Sequence, residues 1–77
     1  MEFQVLLTSV ADVKDFVDAA AGCPSEIDVC AKRYVVNGKS IMGLFSVDLS
    51  APVTVAVHGQ GPGEEAFRER VSRFACQ

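Results

Sequence analysis

Hydrophobic and polar positions alternate over residues 2–8, with Phe3, Val5 and Leu7 on one side and Glu2, Gln4 and Leu6 on the other. A period of two sends successive side chains to opposite faces, so this stretch predicts a half-buried strand. The period then lengthens. Val10, Val13, Phe16, Val17 and Ala20 recur at helical spacing, while Asp12, Asp15 and Asp18 fall on the polar face. Ser9 stands where an N-cap belongs, and with Asp12 three residues on it forms a capping-box-like pair, although Asp is shorter than the usual Glu. Gly22 and Pro24 end the helix.

Alternation returns over residues 26–31, with Ile27, Val29 and Ala31 opposite Glu26, Asp28 and Cys30. Tyr34-Val35-Val36 is a short β-prone run, and two turns compete for it. Lys32-Arg33 would pair it with the preceding strand. Asn37-Gly38 is the chemically better hairpin turn and would pair it with Ile41–Phe45. Residues 52–58 form the clearest strand, with Val53, Val55 and Val57 inward and Thr54, Ala56 and His58 outward. The glycines and proline of Gly59–Gly63 predict a loop. A helix follows, with Glu64 and Glu65 near its positive end, Arg68, Arg70 and Arg73 toward its negative end, and a stripe of Ala66, Phe67, Val71, Phe74 and Ala75. The charged residues of this helix are expected on a solvated face, linked by i,i+3 and i,i+4 pairs. Amphipathic strands with one-sided helices make a two-layer α+β solution, one sheet face packed and the other wet.

The chain has 77 residues, enough for one thin core, so a single domain spanning residues 1–77 is expected. Its net charge of −3 repels phosphate backbones, which argues against nucleic acid as a partner. No apolar run approaches the ~20 residues that cross a bilayer, and the opening Met1-Glu2-Phe3-Gln4 is no secretory signal. A cytoplasmic protein with no membrane association is the expectation. Cys23, Cys30 and Cys76 are odd in number and irregularly spaced, which suits reduced thiols better than a disulfide framework or a zinc site. On oxidation, Cys30 and Cys76 are the pair open to cross-linking. No cofactor or metal set is apparent. Gly59-Gln60-Gly61-Pro62-Gly63 lacks the lysine and the βαβ context of a nucleotide loop. An enzyme is therefore not expected.

One segment is unusual for a small soluble protein: Ile41, Met42, Leu44 and Phe45 crowd behind Ser40. Lys39-Ser40-Ile41-Met42-Gly43-Leu44 resembles the regulatory-serine segment of the HPr family, which carries phosphate between Enzyme I and the sugar-specific proteins of the bacterial phosphotransferase system. The element order agrees with that family along essentially the whole chain. The resemblance implies an open-faced sandwich, a four-stranded antiparallel sheet covered on one face by two longer helices and one short helix, in the order βαββαβα. It also implies a short helix after Gly38 in place of the Asn37-Gly38 hairpin.

The family's active-site segment does not match. There the first helix follows a loop holding a phosphorylated histidine, then alanine, arginine and proline. Counting back from Ser40 without a gap, those positions read Ser9, Val10, Ala11 and Asp12. Phosphohistidine transfer needs an imidazole nucleophile with positive charge and helix N–H groups around the phosphoryl oxygens. A phosphoserine ester is too stable to pass its phosphate on, and Asp12 would repel the anion. His58, the only histidine, reads as a solvated strand-end residue or a pH-sensitive surface group.

The resemblance gives Ser40 two readings: the acceptor for a dedicated ATP-dependent kinase, or simply the cap of the short helix. It implies a partner-docking surface at Lys39, Ile41, Met42, Gly43 and Phe45. Leu44 is expected in the core, with Met42 and Phe45 exposed. Three functions follow. The first is a regulatory or protein-interaction module without a phosphohistidine relay, with protein partners such as phosphotransferase-system components. The second is a phosphoacceptor modified on Ser40, and the third a sugar-uptake phosphocarrier.

Overall fold

The computed structural model describes residues 1–76. The chain runs β1 (Glu2–Val5), α1 (Val10–Ala21), β2 (Ile27–Ala31), β3 (Tyr34–Asn37), α2 (Ile41–Phe45), β4 (Val53–Val57) and α3 (Pro62–Arg70), then a 3₁₀ turn at Ser72–Phe74. The strands form one antiparallel sheet in the order β1-β4-β2-β3. This is the α+β open-faced sandwich that the resemblance implied. Among the described residues, no helix is long and apolar enough to cross a membrane.

Register follows from which side chains must be buried. Val5, Ile27, Val29, Ala31, Val53, Val55 and Val57 all point to the helix side and are buried there with Phe16, Leu44, Phe67 and Val71. The opposite face carries two cross-strand rows. Glu2 lies opposite Ala56, Ala56 opposite Asp28, and Asp28 opposite Asn37; Gln4, Thr54, Cys30 and Val35 are aligned in the same way. The inward and outward sets are those of the sequence pattern, except that Ala56, expected outward and wet, is buried within its row. The first strand is also shorter than residues 2–8, although Leu7 remains buried beyond its end.

The competing turns resolve at Lys32-Arg33, which joins β2 to β3 with Ala31 opposite Tyr34. Lys32 takes a φ of 57°, supplying the positive φ that a two-residue hairpin demands at its first central position. Asn37-Gly38 instead leads out of the sheet. A Cβ on Gly38 would stand 2.6 Å from Ile27 Cγ2, so the chain passes too close to β2 there for a side chain.

The helical regions depart from the expected pattern. The segment Gly59–Gly63 is not wholly loop: α3 begins at Pro62, where proline suits the first helical position, behind Gly61 with a φ of 153°. Glu64 is not on a solvated face but buried, with the Ser25 hydroxyl donating to its carboxylate. Arg73 pairs with Asp15 of α1 and not with its own helix. The helical stripe also shifts. Val10 is exposed and Ala19 takes the buried position, while Ala66 and Ala75 are exposed.

The C-terminal residues close the β1 edge. Val5 and Ala75 form an isolated bridge, flanked by hydrogen bonds from Leu6 N–H to Phe74 O and from Cys76 N–H to Gln4 O, each 2.9 Å. Cys76 thus lies opposite Gln4, and Cys30 lies two strands further across. At ~4.8 Å per strand step the two cysteines are about 14 Å apart, beyond the reach of a disulfide. Cross-linking of Cys30 to Cys76 within one chain is excluded by the register.

Candidate functional site

Helix α1 starts where the alternating run of β1 gives way to Thr8 and Ser9. Ser9 has extended backbone, and its Oγ accepts from the Asp12 N–H at 3.1 Å, satisfying one of the helix's unpaired donors. The reciprocal half of the cap is displaced by one residue. The Asp12 carboxylate accepts from the Thr8 N–H at 3.1 Å and the Thr8 hydroxyl at 3.0 Å, because the short Asp side chain reaches Thr8 and not the Ser9 amide. The Thr8 backbone bond, then the Thr8 hydroxyl, hold the Asp12 carboxyl below its usual pKa, with smaller help from Ser9 and Arg73.

A group whose folded pKa is depressed stabilises the fold above its unfolded pKa and loses that contribution as pH falls through the folded value. The Asp12 cap is therefore expected to contribute fully at neutral pH and to fade below about pH 4. Urea denaturation checks this. Asp12→Ala should lower the midpoint at pH 7, and the gap to the parent chain should close toward pH 2.

Helix α2 is one short turn set by Ser40, whose Oγ accepts from the Gly43 N–H at 3.1 Å. Its five residues divide by depth. Leu44 is fully buried, as expected of the core residue. Ile41 is half-buried against the core, and Gly43 lies close over Val36. Met42 and Phe45 point outward, 77% and 47% exposed. Lys39 is turned inward instead: its ammonium donates to the Cys23 carbonyl at 2.9 Å, just past the C-terminal end of α1, where a cation is favoured. Of the expected docking set, the structure leaves Met42 and Phe45 as the exposed apolar members and gives Lys39 an internal anchoring contact.

The fold brings Ser9 and Phe45 to one groove of about 520 Å³, lined by Leu6, Leu7, Thr8, Ser9, Val10, Val13, Phe45, Leu49 and Ser50. Val10 of α1, 63% exposed, and Phe45 of α2 both line it. Sequence reasoning placed these residues on separate elements, and nothing in a linear pattern links positions so far apart. Ser40 does not line this groove.

His58 is remote from it. The chain leaves β1 at the end where Val5 meets Val53, whereas His58 follows the other end of β4, where Ala56 meets Glu2. Its ring pairs with Asp28 at 2.7 Å on the uncovered face of the sheet. His58 and Ser9 therefore occupy opposite ends and opposite faces of the molecule.

Comparison with known proteins places this arrangement. Residues 12–76 match the family profile described as the PTS HPr component phosphorylation site. Among solved structures, the chain is similar to HPr-C-His from Thermoanaerobacter tengcongensis, at 27% identity and a TM-score of 0.77, covering 96% of this chain and 90% of that one. It also superposes on the histidine-containing phosphocarrier protein of Mycoplasma, at 17% identity, a TM-score of 0.74 and the same coverage. No match is found among curated protein sequences.

Proposed function

This chain belongs to the HPr family of the phosphotransferase system, and from that premise we propose that it is a regulatory or protein-interaction module that does not relay phosphate through histidine. The observation that carries the reading is the position of the sole histidine. His58 sits on the uncovered sheet face, hydrogen-bonded to Asp28 and away from the α1 cap.

The cap itself offers no substitute nucleophile for a reversible relay. A hydroxyl at Ser9 would give a stable ester, and its oxygen already accepts from Asp12 N–H. The Asp12 carboxylate occupies the donors that a phosphoryl group would otherwise meet, namely the Thr8 amide and hydroxyl. The family match begins at Asp12, past the cap. Meanwhile Val10 and Phe45 expose apolar surface at the groove shared by α1 and α2, and Met42 is exposed on α2, which suits a docked protein. In this reading the chain binds and does not catalyse.

Intact-mass measurement with two donors tests the proposal. With phosphoenolpyruvate and Enzyme I, no phosphoryl increment is expected, and a stoichiometric one would overturn the reading. With ATP and an HPr-type kinase, one increment abolished by Ser40→Ala would identify the chain as a serine phosphoacceptor.

A further inference from the structure

The groove between α1 and α2 has an uncharged lining. Leu7 and Val13 form its buried floor, and Val10 and Phe45 expose apolar surface above it. Two carboxylates are fixed at its margins through residues that line it. Asp12 is held by Thr8, and Asp48 accepts from the Ser50 N–H at 2.9 Å and the Ser50 hydroxyl at 2.6 Å. Both are held below their ordinary pKa by these bonds, so both stay anionic at neutral pH.

The neighbouring cations do little to offset them. Lys32 approaches Asp48 at 3.7 Å but is three-quarters exposed, and such a pair is weak and easily exchanged. Arg73 is bonded to Asp15 and is the smallest of the influences on Asp12. An anionic partner would meet two carboxylates, and the Thr8 donors at the α1 terminus are already engaged. A cationic partner would meet complementary charge beside an apolar slot.

We infer that this groove receives an apolar side chain carried on a lysine- or arginine-flanked segment of a protein partner, its cations meeting Asp12 and Asp48. The inference rests on the interaction-module reading and gives that partner its chemistry. The apolar anchor supplies the burial, and the flanking cations select which anchors enter.

Two synthetic amphipathic peptides with one shared leucine and phenylalanine pattern test it, one bearing lysines at the polar positions and the other glutamates. Each is titrated into the ¹⁵N-labelled full chain at low salt, with backbone amide shifts as the readout. The lysine peptide should shift the amides of Val10, Val13, Phe45 and Leu49 and bind about tenfold tighter than the glutamate peptide. Asp12→Asn with Asp48→Asn keeps hydrogen-bond acceptors at both positions and should erase most of that difference. Phe45→Ala should weaken the lysine peptide although both carboxylates remain.

Equal or tighter binding of the glutamate peptide would overturn the charge assignment and leave the interaction reading standing. Groove amides that stay unmoved with both peptides would overturn the inference outright. A phosphohistidine formed from phosphoenolpyruvate would instead remove the reading beneath it, and the two failures are distinguishable.

Discussion

Phe16→Ala is expected to unfold most of the population at room temperature. Phe16 is completely buried on the sheet-facing side of α1. Its ring meets Phe67 of α3 edge-on, with centroids 5.6 Å apart and planes at 75°, and Phe67 in turn meets Phe3 of β1 at 6.3 Å. Phe16 and Phe67 together thus link both long helices to an outer strand. Truncating a buried phenylalanine costs about 3–5 kcal/mol, because the transfer energy is lost and the cavity closes only in part. A single core in a chain this short rarely supplies more than about 3–5 kcal/mol in total. The loss therefore matches the whole margin. Circular dichroism with urea titration checks this: the parent should show one cooperative transition and the variant little folded baseline. Val10→Ala, at an exposed position on the same helix, should leave the midpoint nearly unchanged. A Phe16→Ala variant that loses less than about 1 kcal/mol would contradict the observed packing.

Ser25→Ala is expected to cost about 2 kcal/mol, the value of a hydrogen bond to a charged group whose partner is then left buried. Glu64 is the one charged residue among the described buried set. Its carboxylate accepts from Ser25 and is enclosed by Gly59 and Gly61, where an added Cβ would lie 3.1 Å from its oxygens. Removing the hydroxyl leaves that carboxylate desolvated without its side-chain donor. Glu64→Gln keeps an acceptor for Ser25 and removes the buried charge together with its attraction to the α3 N-terminus, so its net cost is smaller. The ordering, Ser25→Ala worse than Glu64→Gln, is the expected result in chemical denaturation. If Ser25→Ala is neutral, Glu64 is solvated in solution and the enclosed pair is contradicted.

The sequence revealed the sheet far better than its surroundings. Alternating Ile27, Val29, Ala31 and Val53, Val55, Val57 have one way to bury an apolar face, so pattern alone reports the inward set. The Lys32-Arg33 turn was not decided that way. Local turn chemistry favours Asn37-Gly38, and the observed hairpin wins because its register buries Val29 and Ala31 while Ile41–Phe45 coils over the sheet. Glu64 was misread because a helix-dipole argument makes a first-turn glutamate look like a surface residue. The signal for burial is Gly59 and Gly61 upstream of it, which clear the space its carboxylate fills. The Ser9 cap was legible, since its bond spans only three residues. The groove was not, because Ser9 and Phe45 come to line it only once α2 packs beside α1, and Lys39, expected at a docking surface, donates to the Cys23 carbonyl at the end of α1.

Absence of a phosphohistidine relay means that no nitrogen of this chain accepts phosphate. Phosphorus magnetic resonance of the chain incubated with phosphoenolpyruvate and Enzyme I, beside an authentic HPr as positive control, tests this. The predicted result is a phosphoramidate resonance in the control and none on this chain, with the His58 ring unmodified. A phosphoramidate resonance on His58 would contradict the account and return the protein to the phosphocarriers.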